Sequence, residues 1–202
     1  MADVTETVRP AALILAGGAS KRMGRDKAAL EWDGEPLLER IARITSESCG
    51  PIYVVAPEDS AASRLRGTGP TPAIWITDEQ PGMGPLAGLA GGLAAADADG
   101  AELAFVCATD MPLIGAGLID ELLVALGESD DAAIAVDEQR SHPLAGVYRT
   151  RCAGQLRELV AAGERRMLAA VDVLRTHRVT VSDPDWLTNI NAPEDLHRLR
   201  AS

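Results

Sequence analysis

The first apolar run of the chain predicts a buried strand. It covers residues 11–16 and stops at Gly17-Gly18. Apolar residues then recur at helical spacing over 36–49, and Gly50-Pro51 ends this helix before a second apolar run at 52–56. This order of strand, helix and strand predicts a βαβ unit with parallel strands.

The same alternation continues through the middle of the chain. In order, it predicts a short helix at 58–66, a strand at 73–77, a helix from Pro85, a strand at 103–108 and a helix over 118–126. Strands that alternate with helices indicate a mainly parallel sheet with helices on both faces. The sequence therefore predicts an α/β fold with three layers, α/β/α, of Rossmann-like type.

The last third of the chain is less regular. It predicts strands at 132–136, 144–148 and 178–181, and helices at about 152–162 and 165–174. One of these strands is expected to run antiparallel, which makes the sheet mixed. No low-complexity linker interrupts the pattern, so we expect a single domain over residues 1–202.

Composition and charge narrow the possible partners. The chain has 202 residues, 47% of them hydrophobic, and a formal net charge of −11. This charge repels nucleic acid and anionic membranes, so neither is expected as a partner. No apolar run is long enough to span a bilayer, and the first ten residues carry Asp3, Glu6 and Arg9 where a signal peptide needs an apolar stretch, so a cytoplasmic protein is expected. Its three cysteines form no C-x-x-C pair and are interpreted as reduced structural thiols.

The glycine-rich turn after the first strand is the first candidate for chemistry. Gly17 and Gly18 let the backbone approach a ligand and present N–H groups to an anion, while Arg22 and Lys27 can meet phosphate oxygens. The turn does not match a Walker A loop. A nucleotide site is favoured here; the alternative is a solvated basic loop.

Two acids follow predicted strands in equivalent positions. Asp110 follows the strand at 103–108, and Asp78 follows the strand at 73–77. Acids in these positions should line one crevice above the carboxyl ends of the strands. Mg²⁺ is commonly bound by one or two carboxylates and the phosphates of its substrate, so Asp110 is the candidate metal ligand. A helix-capping role for Asp110 is disfavoured because the next helix begins near Gly115.

A second glycine run permits another interpretation. The run over 82–87 matches G-x-G-x-x-G/A, which raises the alternative of a dinucleotide-binding Rossmann protein. The turn is too long for the genuine motif. Gly84-Pro85 is better explained as the start of a helix whose N-terminus faces a phosphate or ribose.

Several polar residues of the second half are weaker candidates. Asn191 forms a plausible capping box with Glu194, and an additional role near the metal is compatible with this. His142, Arg165 and Arg166 can contact an acceptor, although loop histidines and arginines at helix starts are more often solvated.

Taken in order, these segments resemble the molybdenum cofactor guanylyltransferase (MobA-like) family of nucleotidyltransferases. The similarity covers almost the whole chain. It rests on Leu-Ala-Gly-Gly, Arg-Met-Gly and Asp-Lys within 15–27, Gly-Pro-Leu-Ala-Gly at 84–88, Thr-Asp-Met-Pro at 109–112, Ser-His-Pro at 141–143, Ala-Gly-Glu-Arg-Arg at 162–166, and Asn-Ile-Asn-Ala-Pro-Glu at 189–194. The resemblance implies a glycosyltransferase-A-like α/β fold.

The resemblance also implies roles for individual residues. The implied nucleotide contacts are Leu15, Ala16, Gly17, Lys27, Asp78 and Asp110, with Mg²⁺ on Asp110. From the residues themselves, Gly18 is an expected nucleotide contact, and Asn189, Asn191 and Arg165 are candidate acceptor or supporting contacts. The family often has an asparagine just after the second strand, where this sequence has Val55-Ala56-Pro57. Leu-Ala-Gly-Gly at 15–18, where related cytidylyltransferases usually have Leu-Ala-Ala-Gly, favours GTP over CTP.

The implied reaction is the transfer of GMP from GTP to the terminal phosphate of molybdopterin, with release of pyrophosphate. Arg22, Lys27 and Asp110 are the expected catalytic residues. Docking on molybdenum insertion proteins or apo-molybdoenzymes is a further expectation. The alternatives are a cytidylyltransferase, a GTP-dependent transferase with another phosphorylated acceptor, and a nucleotide-binding module without catalysis.

Overall fold

A seven-stranded sheet forms the centre of the computed structural model, which describes residues 9–17, 27–78, 82–190, 195–196 and 198–199. The strands are β1 (Ala11–Leu15), β2 (Glu31–Trp32), β3 (Glu35–Pro36), β4 (Ile52–Ala56), β5 (Ile74–Thr77), β6 (Leu103–Ala108), β7 (Ala132–Val136), β8 (Ser141–Arg149) and β9 (Thr176–Thr180). The helices are α1 (Leu37–Ser48), α2 (Pro85–Ala98), α3 (Ala116–Ala125), α4 (Ala153–Ala161) and α5 (Met167–Val173).

The strand order in the large sheet is β5-β4-β1-β6-β8-β7-β9. Neighbours pair in parallel except at β8, which is antiparallel to both β6 and β7. The expected mixed sheet with one antiparallel strand is therefore confirmed. It follows that β8 begins at the edge where the other six strands end.

Two apolar clusters cover the two faces of this sheet. Alternate residues of β1 point to opposite faces, so that Ile14 belongs to one cluster and Leu13 to the other. The first cluster includes side chains of α1 and α3, and the second includes side chains of α2, α4 and α5. The predicted three-layer α/β/α arrangement is confirmed.

Three details of the fold differ from the expectations. The helix expected over 58–66 is only a 3-10 turn at Ser63–Leu65, and β8 is longer than the strand expected at 144–148. The hairpin of β2 and β3 was not expected. Its strands have two residues each, too short for an alternating pattern, and they are joined by Asp33-Gly34, both with positive φ.

The cysteines fit the interpretation as structural thiols. All three are free and buried, and burial raises the pKa of Cys49 to about 12. In the described part of the chain, no helix combines the length and apolarity needed to cross a membrane.

Close packing of α2 on β1 depends on a glycine. A Cβ atom at Gly92 would lie 2.3 Å from Cδ1 and 2.6 Å from Cδ2 of the buried Leu13, whereas a Cβ atom at Gly91 would meet no atom within 4 Å. The two glycines are neighbours in the same helix. They therefore form a matched pair for testing this contact.

We predict that Gly92→Ala lowers the free energy of unfolding by about 1–3 kcal/mol, because the added methyl overpacks the core. Gly91→Ala should leave this free energy unchanged or raise it by up to about 1 kcal/mol through helix propensity. Urea unfolding measures both values. Equal effects of the two substitutions would contradict the packing described.

Candidate active site

The direction of the strands brings separate segments to one edge of the sheet. Parallel strands β1, β4, β5 and β6 end there and are followed by Gly17, Pro57, Asp78 and Asp110, respectively. In open α/β sheets this edge is where ligands bind. Asp78 and Asp110 therefore lie on opposite sides of the end of β1, at the edge where the common crevice is predicted.

Asp78 lies against the main chain of Gly17. A Cβ atom at Gly17 would be 3.2 Å from Cδ of Pro57 and 3.8 Å from Oδ2 of Asp78. The backbone N–H of Asp78 donates to the carbonyl of Ala56 over 2.9 Å, which fixes the residue at the end of β5. Glycine thus keeps the approach between the end of β1 and the Asp78 carboxylate open.

Leu15 and Ala16 offer a ligand only their main chain. Both side chains are buried, and the backbone N–H of Ala16 donates to the carbonyl of Val55 over 2.8 Å. The exposed Gly17 is the residue at this point whose main chain a ligand can reach. Contact through the backbone is how a glycine-rich turn binds an anion or a base.

A backbone hydrogen bond ties Asp110 to the segment that contains Asn189. The backbone N–H of Ile190 donates to the backbone carbonyl of Asp110 over 2.8 Å, and Asp110 is half-buried. The side-chain Nδ2 of Asn189 donates to the carbonyl of Leu187 over 3.2 Å, which orients its amide group. The structure therefore brings together the candidate metal ligand and one of the candidate acceptor contacts.

Arg165 packs against the start of α2. Gly84 has φ of +85°, and a Cβ atom on it would lie 2.7 Å from the backbone oxygen of Arg165. The Arg166 guanidinium is held by Glu164, with Nη2 donating to Oε2 over 2.7 Å, and this hydrogen bond lowers the pKa of Glu164 to about 2. The exposed Arg165 is thus the arginine of this pair that can reach a ligand.

The expectation that His142 is a solvated loop residue is wrong. Its side chain is only 6% exposed, and its Nε2 lies 2.6 Å from Oδ2 of Asp137. The other oxygen of Asp137 accepts the backbone N–H groups of Gln139 and Arg140, and the pKa of Asp137 is lowered to about 2, mainly by the hydrogen bond with His142. The histidine is buried because it belongs to β8 rather than to a loop.

A cavity of about 460 Å³ extends from Asp78 between the sheet and helices α2 and α4. Its walls include Val55 and Ile76 from the sheet, Gly88 from α2, and Arg157 from α4. Arg157 is not among the site residues predicted from the sequence. An arginine in a helix carries no sequence signal that distinguishes it from a solvated residue.

Other predicted site residues lie outside what the structure describes. These are Gly18, Arg22, Asn191 with its capping partner Glu194, and the side chain of Lys27; their roles stay predictions. Among the described residues, no group of three or more His, Cys, Asp or Glu side chains has an arrangement that holds a metal ion. A metal bound here by a single carboxylate and the phosphates of a substrate is compatible with this finding.

Comparison with known proteins assigns the family. Residues 12–179 match the model of the MobA-like NTP transferase domain. The chain belongs to this family. It is accordingly an enzyme of the nucleotidyltransferase class, and the interpretation as a binding module without catalysis is not supported.

Relatives of this MobA-like chain agree with the assignment. A probable molybdenum cofactor guanylyltransferase of Mycobacterium bovis is 41% identical over 194 residues, which cover 95% of this chain and 94% of that protein. Molybdopterin-guanine dinucleotide biosynthesis protein A from Archaeoglobus fulgidus superposes with a TM-score of 0.76 at 24% identity, over 93% of this chain and 95% of its own.

A cytidylyltransferase shares the same fold. The 2-C-methyl-D-erythritol 4-phosphate cytidylyltransferase from Thermus thermophilus superposes with a TM-score of 0.68 at 19% identity, over 96% of this chain and 98% of its own. These structural likenesses confirm the glycosyltransferase-A-like α/β fold. They do not separate GTP from CTP as the substrate, because one fold serves both nucleotides.

Two glycines before α2 test the contact with Arg165. Gly82 and Gly84 both have positive φ, but only at Gly84 would a Cβ atom meet the Arg165 main chain. We predict that Gly82→Ala lowers the free energy of unfolding by about 1–2 kcal/mol, because the alanine is strained at positive φ. Gly84→Ala should lower this free energy further and should also displace the segment around Arg165.

Urea unfolding and limited trypsin digestion measure these two effects. Faster cleavage after Arg165 or Arg166 in Gly84→Ala than in Gly82→Ala is the expected result, because the displaced segment becomes more accessible. Identical stability and identical cleavage rates in the two variants would show that the Gly84–Arg165 contact is unimportant.

Proposed function

We propose that this chain is one nucleotidyltransferase domain that transfers GMP from GTP to the terminal phosphate of molybdopterin. The main observation in support is that Asp110, bonded through its backbone to Ile190, lies at the same sheet edge as Asp78 and Gly17. In this proposal GTP lies on the Asp78 side of the Asp110 carboxylate and the acceptor lies on the Asn189 side. The name of the M. bovis relative supports molybdopterin and GTP as the substrates.

The nucleotide half binds GTP through backbone and carboxylate groups. Leu15, Ala16 and Gly17 contact it through the main chain, and Asp78 accepts hydrogen bonds from the guanine base. The predicted groups for the phosphates are Gly18, Arg22 and Lys27. The positive charges of Arg22 and Lys27 counter the repulsion expected from a chain of net charge −11, because screening over about 8 Å limits the effect of distant carboxylates.

The residues around Asp110 fit a magnesium ion. The carboxylate of Asp110 is a hard oxygen ligand, and Asn189, which precedes the residue bonded to the Asp110 backbone, carries an amide oxygen of the same kind. Asp110 would hold the ion, and Asn191 is a predicted neighbour. When bound, Mg²⁺ neutralises negative charge on the phosphate groups.

The nucleophile belongs to the substrate in this mechanism. A phosphate oxygen of molybdopterin attacks the α-phosphorus of GTP, a new P–O bond forms, and the bond from the α-phosphorus to the bridging oxygen breaks to release pyrophosphate. The protein positions the two phosphates and stabilises the developing charge, which is most of catalysis at phosphorus. Arg165 is the proposed contact for the acceptor, and docking on molybdenum insertion proteins or apo-molybdoenzymes would follow product formation.

The substitution Asp110→Asn tests this proposal. We predict that release of pyrophosphate from GTP in the presence of molybdopterin and Mg²⁺ falls by at least about 100-fold, because the charged oxygen ligand is lost. The melting temperature should change little, since the hydrogen bond from Ile190 uses the backbone of Asp110.

Asp120→Asn, an exposed acid of α3, is the matched control and should retain full activity. Magnesium-dependent pyrophosphate release at an unchanged rate in Asp110→Asn would overturn the proposed role of Asp110.

A further inference from the structure

The cavity next to Asp78 has two charged residues among its described lining residues, Asp78 and Arg157. They belong to different elements, because Asp78 follows β5 and Arg157 lies in α4. The rest of that lining is Thr77 and small or aliphatic residues of the sheet and of both helices. One acidic and one basic group around a mostly apolar space are typical of a small-molecule site.

This cavity adjoins the end of β1, after which the predicted nucleotide turn begins. The Asp78 carboxylate lies against Gly17, and Gly88 in the cavity wall packs on Leu15, with 3.5 Å from a Cβ atom on Gly88 to Cδ2 of Leu15. The base of a nucleotide bound at the end of β1 would therefore lie next to this cavity. Its volume of about 460 Å³ is within the usual range for ligand pockets and accommodates a purine.

Arg157 is available for a ligand. It is exposed, and in the described part of the chain no hydrogen bond or ion pair engages its guanidinium group. It differs in this from Arg166 and Arg175, whose side chains are held by Glu164 and Asp131. No side chain of β4 supplies a polar group to the cavity, where Val55 forms the wall.

The hydrogen-bonding pattern of guanine matches these two groups. Its N1–H and N2 amino group are donors that suit a carboxylate, while O6 and N7 are acceptors that suit the fork of an arginine. Adenine and cytosine each carry an amino donor where guanine carries O6. An arginine that donates to this position therefore disfavours adenine and cytosine.

We propose that Arg157 donates to O6 and N7 of guanine while Asp78 accepts from N1 and N2, so that the two residues together select GTP. This inference rests on the proposed function and deepens it by naming a specificity-determining residue. The family often has an asparagine just after the second strand, where this chain has Val55-Ala56-Pro57. Arg157 would supply a contact to the base in its place.

Equilibrium binding of GTP, CTP and 7-deaza-GTP, with Mg²⁺ and without acceptor, tests the assignment by calorimetry. In the unsubstituted protein, 7-deaza-GTP should bind more weakly than GTP because it lacks the N7 acceptor. Arg157→Gln should weaken GTP about 5- to 100-fold, the range for loss of a bidentate arginine–guanine contact. In this variant GTP and 7-deaza-GTP should bind equally, and the preference for GTP over CTP should shrink by a similar factor.

Arg178→Gln is the matched control, because Arg178 is an exposed arginine on β9, the strand at the opposite edge of the sheet from β5. It should leave all three affinities unchanged. A separate assay with molybdopterin shows whether the unsubstituted protein forms molybdopterin guanine dinucleotide from GTP. If it does, and Arg157→Gln keeps the same ratios of affinity for GTP, CTP and 7-deaza-GTP, the role of Arg157 is refuted and the proposed function stands. If the unsubstituted protein neither prefers GTP nor forms that product, both are refuted.

Discussion

The common direction of β1, β4, β5 and β6 is the constraint on which the site depends. Since each strand is parallel to its neighbour, all four end at one edge, and the residues after them meet there although they are up to 93 positions apart in sequence, from Gly17 to Asp110. The antiparallel β8 begins at this edge instead of ending there, so its first residues, Ser141 and His142, also lie at the edge. The fold thereby concentrates polar groups without a dedicated catalytic motif.

Glycines then set how closely the elements around this edge approach one another. Gly92 lets α2 pack on Leu13, Gly84 lets the start of α2 meet the backbone of Arg165, and Gly17 leaves space beside Asp78. The first contact fixes the height of α2 on the sheet, and the other two leave backbone surface at the site. Packing and ligand access are consequently determined by the same residue type at three positions.

The sequence predicted the elements best where apolar runs are short and flanked by turn residues. The strands at 52–56 and 132–136 have the expected bounds, and Asp78 and Asp110 were selected because each follows such a run. Burial of His142 was missed because a bulge-containing strand that includes Pro143 does not alternate regularly. Arg157 was missed because its cavity is formed by two helices and the sheet, which no local pattern reports.

We propose that the residues at this edge of the sheet transfer GMP from GTP to a phosphorylated pterin. The most direct test of this proposal is to incubate the pure protein with Mg²⁺, molybdopterin and each nucleoside triphosphate separately, and to determine the mass of the products. We expect molybdopterin guanine dinucleotide and pyrophosphate from GTP, and no dinucleotide from CTP, ATP or UTP. A cytosine dinucleotide formed from CTP, or the absence of any dinucleotide, would contradict it.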